Sequence, residues 1–153
     1  MKSEKWDLPA SNYNSNVLSV FDHDSERKLL SLINKLGGSK KKAVDLGCGI
    51  GKFLPSLTEN FAETLACDYS EAMIKSAKFY NKGLKCLNFE TCNLEDNPPK
   101  GHPYDFGLCV NVVITQNINK REQIWKNIIQ SINENGHLIL VLPSLESALY
   151  SKS

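Results

Sequence analysis

Apolar residues change their spacing along the chain, and the alternation predicts the order of helices and strands. Positions 29–36 repeat with a helical period and predict a helix from Asp22 or Asp24 to Leu36, which the Gly37-Gly38 pair ends. A short apolar run at 42–46 predicts the first strand, and residues 52–61 predict a helix that tolerates Pro55 in its first turn. The pattern further predicts strands at 64–67, 85–91, 105–113 and 137–142. It also predicts a helix at 70–81 with Ser70 as its N-cap, a helix at 122–132 and a turn at 133–136.

Strands that alternate with helices of about 10 to 15 residues indicate repeated βαβ units and a parallel sheet. We therefore expect an α/β fold with a doubly wound, Rossmann-like sheet of about five strands, in the order 3-2-1-4-5, and helices on both faces. The 153 residues fit one domain. Residues 1–20 are polar and lack a clear period, so they are interpreted as an N-terminal arm that precedes a core domain at 21–153.

The glycines of Gly47-Cys48-Gly49-Ile50-Gly51 follow the first predicted strand, where a ligand can approach the main chain closely. Asp45 precedes this loop, and Asp68 ends the second strand, from which a carboxylate can accept hydrogen bonds from ribose hydroxyls. The dinucleotide fingerprint G-x-G-x-x-G is not met, because Lys52 stands at its final glycine. A loop without room for a pyrophosphate, next to an acidic residue, favours a cationic ligand that carries a nucleoside and an amino acid.

Asp45-x-Gly47-x-Gly49-x-Gly51 resembles motif I of class I S-adenosylmethionine (SAM)-dependent methyltransferases, and the segment 67–73 (CDYSEAM) resembles their second motif. The resemblance covers about residues 42–142. It implies that the loop holds the methionine part of SAM, that Asp45 meets the amino group and that Asp68 holds the ribose. The residues that it places at the cofactor are Asp45, Gly47, Cys48, Gly49, Gly51, Asp68, Tyr69, Met73, Asn93, Leu94, Asn111 and Val112.

Two of these residues, Met73 and Asn93, have an alternative interpretation, and Asn111 and Val112 have a further implied role. Met73 is placed near the adenine, and core packing of a methionine at helical spacing explains it equally well. Asn93 stands where the third motif commonly has an Asp that binds the adenine, and the alternative is a solvent-facing turn. Asn111 and Val112 end the fourth motif, where the transferred methyl group would lie, and no residue is assigned as catalytic base.

Composition narrows the choice of partners. The net charge is +1, so no overall field attracts nucleic acid. No apolar run reaches the roughly 18 residues of a membrane span, so no membrane-spanning helix is expected. The five cysteines lack C-x-x-C spacing, so we expect reduced thiols, a cytoplasmic location and no metal site.

The predicted activity is methyl transfer from SAM to an acceptor, with a small molecule favoured over a protein side chain. A catalytically inactive cofactor-binding partner or regulatory module remains an alternative, and an NAD-dependent oxidoreductase is a weaker one. Family members usually have two more strands after the fifth, which the pattern here lacks. We therefore expect a longer parent protein, and a fifth strand left as an exposed edge that can pair with another chain to form a dimer. The arm residues Trp6 and Tyr13, with Phe21, are candidates for an aromatic lid or for pinning the arm to the core.

Overall fold

The computed structural model describes residues 19–144. Residues 1–18, including Trp6 and Tyr13 of the predicted arm, and residues 145–153 lie outside the described part. The elements in chain order are α1 (Val20–His23), α2 (Lys28–Leu36), β1 (Gly38–Leu46), α3 (Leu54–Asn60), β2 (Phe61–Asp68), α4 (Glu71–Tyr80), β3 (Leu87–Thr91), β4 (Tyr104–Val110), α5 (Ile118–Gln130) and β5 (Ile132–Val141).

The five strands form one parallel sheet in the order β3-β2-β1-β4-β5, which confirms the predicted topology. Strand β1 lies in the middle, so its last residues are covered on both faces and Val44 and Leu46 are fully buried. Helices α2 and α3 pack on one face, where Ile33 and Leu57 join the core, and α5 covers the other face through Ile128. The buried middle explains why Ala43, Val44 and Leu46 are apolar.

The helix expected from Asp22 or Asp24 to Leu36 is wrong at its start. A separate turn, α1, ends at His23, and α2 begins only at Lys28. Between them, the Asp24 carboxylate accepts hydrogen bonds from the amides of Lys28 (2.8 Å) and Leu29 (2.9 Å). An acidic side chain that satisfies the first free amides of a helix acts as a cap, so Asp24 sets the start of α2 instead of lying inside it.

The fourth strand is shorter than the predicted 105–113. It ends at Val110 because Asn111 has a φ of +56°, a left-handed conformation that Asn tolerates better than most residues. The Asn111 amide still donates to the carbonyl of Val141 (2.9 Å), which ties this bend to the end of β5. The chain therefore leaves the sheet directly after Val110.

The last strand begins earlier than predicted, at Ile132. The expected turn at 133–136 appears as an irregularity within it, because Ile132 pairs with Tyr104 and the next pair is His137 with Phe106. Among the described residues, β5 has a neighbour on one side only. Its pairing with another chain stays a prediction.

Candidate functional site

A cavity opens at the carboxyl ends of β1, β2 and β4, where the topology of a doubly wound sheet places ligands. We call it the central cavity. The predicted site residues that line it are Asp45, Gly47, Cys48, Gly49, Asp68, Tyr69, Met73, Asn93, Leu94, Asn111 and Val112. Their role as ligands of a cofactor stays a prediction, but the fold brings them to one place.

The glycine bend, residues 47–51, is held to the end of β2 by its own amides. The amides of Gly47 (2.8 Å) and Cys48 (2.9 Å) both donate to the carbonyl of Cys67. Gly47 and Gly49 have φ values of +77° and +55°, which side chains larger than glycine rarely adopt. The main chain of the bend therefore forms part of the cavity wall.

Gly51 is not among the lining residues of the central cavity. A Cβ atom there would lie 2.5 Å from Nδ2 of Asn81 and 2.6 Å from a methyl carbon of Leu54. The glycine is thus required where the bend packs against the end of α4, and this contact does not involve a ligand. The part of Gly51 in cofactor binding stays a prediction. The packing against Asn81 and Leu54 requires a glycine at this position in either case.

Asp45 is a buried carboxylate at the end of β1. It is 3% exposed, and within residues 19–144 no hydrogen bond or ion pair to its side chain is formed. Burial, with a further contribution from Asp68, raises the pKa of Asp45 to about 7. A buried carboxylate without a partner is costly in its charged form, so a cationic ligand group would relieve this cost.

The raised pKa predicts that the ligand-free protein loses stability as the pH rises from about 4 to 7. In this window the folded state retains the proton of Asp45 and the unfolded state, with a pKa near 3.8, has released it. Asp45→Asn should therefore be more stable than wild type by on the order of 2 kcal/mol at pH 8 and similar to it near pH 4. Urea unfolding at both pH values measures the difference, and equal stability at pH 8 would show that Asp45 is well solvated.

Asp68 is held rigidly at the end of β2. One carboxylate oxygen accepts a hydrogen bond from the amide of Gly49 (3.0 Å), and the other accepts one from the amide of Ser70 (2.9 Å). Ser70 is the predicted N-cap of α4, and its hydroxyl accepts the amide of Met73 (3.3 Å). The bonds from Gly49 and Ser70 hold the Asp68 carboxylate in place at the wall of the central cavity.

The residues predicted near an adenine form one side of the central cavity. Met73 is 2% exposed, so the same side chain serves the core and the cavity wall. Asn93 is exposed, and its side chain closes a turn: Nδ2 donates to Asp96 (2.9 Å) and Oδ1 accepts the amide of Glu95 (3.0 Å). The contacts of Asn93 are thus those of a solvent-facing turn, which was the alternative to adenine binding. Leu94, the next residue, is buried.

The opposite wall of the central cavity is mostly apolar. Val112 follows the bend at Asn111, and Ile114 and Ile124 lie along the same wall. The side-chain amide of Asn111 forms no hydrogen bond within residues 19–144 and is half-buried. This wall provides one neutral polar group among hydrocarbon side chains.

Several lining residues were not predicted from the sequence. The most informative are Ser19 and Lys52, because Lys52 was noted only as a departure from the dinucleotide fingerprint. Phe21 lines the cavity and also packs edge-on against Phe53, with ring centroids 5.1 Å apart, so it contacts the core; its part in an aromatic lid stays a prediction. The other lining residues without a prediction are Val20, Ile50, Phe53, Cys92, Glu95, Val110, Ile114 and Ile124.

The thiol of Cys48, in the glycine bend, is affected by the two acidic residues of the site. Burial, followed by the charges of Asp45 and Asp68, raises the pKa of the Cys48 thiol well above its usual value.

Within the described part of the chain, no cluster of three metal-binding side chains is present. Of the helices in residues 19–144, none combines the length and apolar character that crossing a membrane requires.

Comparisons with known proteins agree with this geometry. Residues 43–136 match the model of a family described as a methyltransferase domain. A search of curated proteins found no match to the chain.

Solved structures share the fold at low sequence identity. DhpI in a complex with SAM and HEP has a TM-score of 0.76 at 19% identity, over 97% of this chain and 68% of DhpI. The N-methyltransferase NodS from Bradyrhizobium japonicum WM9, in complex with S-adenosyl-L-homocysteine, has a TM-score of 0.69 at 15% identity, over 90% of this chain and 69% of NodS. The [4+2]-cyclase SpnF has a TM-score of 0.71 at 14% identity, over 97% and 68%. The chain thus spans about two thirds of the length of each.

Proposed function

Because the chain belongs to the methyltransferase domain family that its residues 43–136 match, we propose that it transfers a methyl group from SAM to a small-molecule acceptor in the central cavity. The observation that carries the proposal is Asp45, a buried carboxylate in the cavity wall without a hydrogen-bonding partner among residues 19–144. SAM is a cation with an amino group, and it fits a cavity whose buried charge is negative. DhpI and NodS, which share the fold, are complexed with SAM and with its demethylated product.

Each wall of the cavity has a part in the proposed reaction. Asp45 would accept a hydrogen bond from the amino group of SAM, the glycine bend would lie along its methionine chain, and Asp68 would accept hydrogen bonds from the ribose hydroxyls. Met73 and Leu94 would cover the adenine. When bound, SAM supplies a methyl group on a positively charged sulfur.

The apolar wall is the proposed acceptor side. Val112 and Ile114 provide an apolar surface on this side of the cavity, and the Asn111 amide can orient a polar group of the acceptor. Alignment of two reactants lowers a barrier by about 7 to 11 kcal/mol in favourable cases, so the protein contributes chiefly by holding donor and acceptor in line. An acceptor of small size is proposed because this wall is part of a cavity and not of an open surface.

The proposal is tested by binding and turnover on the same preparation. Thermal shift and calorimetry should show binding of S-adenosylhomocysteine (SAH) and none of NAD⁺, since the bend lacks the place for a pyrophosphate. Methyl-labelled SAM, incubated with panels of small amines, thiols and phenols, should then give labelled product. Binding of NAD⁺ with no response to SAH would contradict the proposal.

A cofactor-binding module without methyl transfer is the second candidate. The observation in its favour is that a [4+2]-cyclase shares this fold with a TM-score of 0.71, so the fold does not determine the reaction. For this candidate, SAH would bind and no acceptor in any panel would be labelled. The two measurements therefore separate the candidates.

A further inference from the structure

Lys52 lines the central cavity directly after the glycine bend, and its ammonium group contacts Ser19, which lines the same cavity. The group donates to the hydroxyl of Ser19 (3.1 Å) and forms an ion pair with Asp22. An ammonium has three N–H donors, so these two contacts leave one donor without a partner within residues 19–144. The Lys52 side chain as a whole is 22% exposed.

The charges on the two sides of the glycine bend have opposite signs. Asp45 precedes the bend and carries a buried carboxylate, and Lys52 follows the bend and carries the ammonium. A ligand that lies along the bend with an amino group at one side and a carboxylate at the other would match both. A free α-amino acid group has this pair of charges.

We infer that Lys52 binds the α-carboxylate of SAM, an inference that rests on the proposed function. The existing ion pair does not prevent this, because Asp22 is 53% exposed and its charge is solvated on the outer side. A hydrogen bond between an ammonium and a carboxylate is stronger than a neutral one, and the enclosed position of Lys52 limits screening by water. Lys52 would then join the ligand to Ser19 and Asp22, the residues that begin α1.

The test compares two ligands that differ only in the carboxylate: SAH and its decarboxylated derivative, S-adenosyl-3-thiopropylamine. Calorimetry on the whole chain should show that wild type prefers SAH by about 10-fold to 100-fold. Lys52→Met should reduce this preference to about 2-fold by weakening SAH binding and leaving the binding of the derivative nearly unchanged. Lys52→Arg keeps the positive charge and should keep most of the preference.

Two control variants separate carboxylate binding from the packing of α1. Asp22→Asn breaks the same ion pair and keeps the ammonium, so its SAH affinity should equal or exceed that of wild type. Lys75→Met removes another paired lysine, which bonds to Glu71 (3.1 Å); neither Lys75 nor Glu71 lines the cavity, so this variant should leave the preference unchanged.

Three results would overturn the inference. If Lys52→Met keeps the full preference for SAH, or weakens the binding of both ligands equally, Lys52 does not bind the carboxylate, while the proposed function stands. If Asp22→Asn loses as much SAH affinity as Lys52→Met, the effect comes from the position of α1. If wild type binds neither ligand, the proposed function and this inference both fail.

Discussion

Asp68→Ala should weaken SAH binding by about 2 to 4 kcal/mol, or roughly 30-fold to 700-fold. The proposed site loses two hydrogen bonds from the ribose to a charged group, each worth about 1.5 to 3 kcal/mol before non-additivity. In the wild-type protein the amides of Gly49 and Ser70 donate hydrogen bonds to the Asp68 carboxylate. The substitution removes both bonds, so the glycine bend also becomes less well ordered for binding. Calorimetry with SAH measures the loss.

The matched control for Asp68 is Asp96→Ala. Asp96 is an exposed acid whose carboxylate accepts a hydrogen bond from Asn93 at the edge of the site, and it does not line the cavity. Its removal should change SAH affinity by less than about 3-fold, on the scale of a solvated contact. Circular dichroism at the titration temperature establishes that each variant is folded. A folded Asp68→Ala protein with wild-type affinity would disprove the assignment of Asp68 to the ribose.

Gly47→Ala should lower the free energy of unfolding by about 2 to 4 kcal/mol. The residue has a φ of +77°, and a Cβ atom there would lie 2.4 Å from a methyl carbon of Val112. The left-handed conformation costs an alanine roughly 1 to 2 kcal/mol, and displacement of Val112 adds to this cost. Urea unfolding, with an unchanged slope, gives the difference directly.

Gly83→Ala separates the two contributions at Gly47. Gly83 has a φ of +98°, and a Cβ atom added there meets nothing within 4 Å, so only the backbone cost of roughly 1 kcal/mol applies. The double variant Gly47→Ala/Val112→Ala should recover part of the stability that Gly47→Ala loses, because the clashing methyl group is removed. If Gly47→Ala costs no more than Gly83→Ala, the bend and the loop after β4 are not in the tight contact described here.

The hydrophobic pattern was sufficient to predict the sheet and the main acidic residues of the site. The carboxyl ends of parallel strands meet at one edge of the sheet, so Asp45 and Asp68 could be placed together from their positions at two strand ends. The cap at Ser70 was predictable as well, because it depends on a hydrogen bond to a residue three positions later. These features depend on local spacing and on the order of elements, both of which are visible in the sequence.

Other features required the tertiary structure. The end of β4 is set by the left-handed conformation of Asn111 and by its hydrogen bond to Val141, thirty residues later. Lys52 meets Ser19 and Asp22 only because α1 lies against the start of α3, and no periodic pattern records a contact between segments so far apart.

The sequence by itself determined the fold class, the strand order and the two strand ends that carry Asp45 and Asp68. The tertiary structure decided that Gly51 packs against Asn81, that Asp45 lacks a partner among residues 19–144, and that Lys52 completes the cavity wall. The physical reason is that apolar periodicity reports which face of an element is buried. The contacts that each side chain then makes depend on how distant elements pack together.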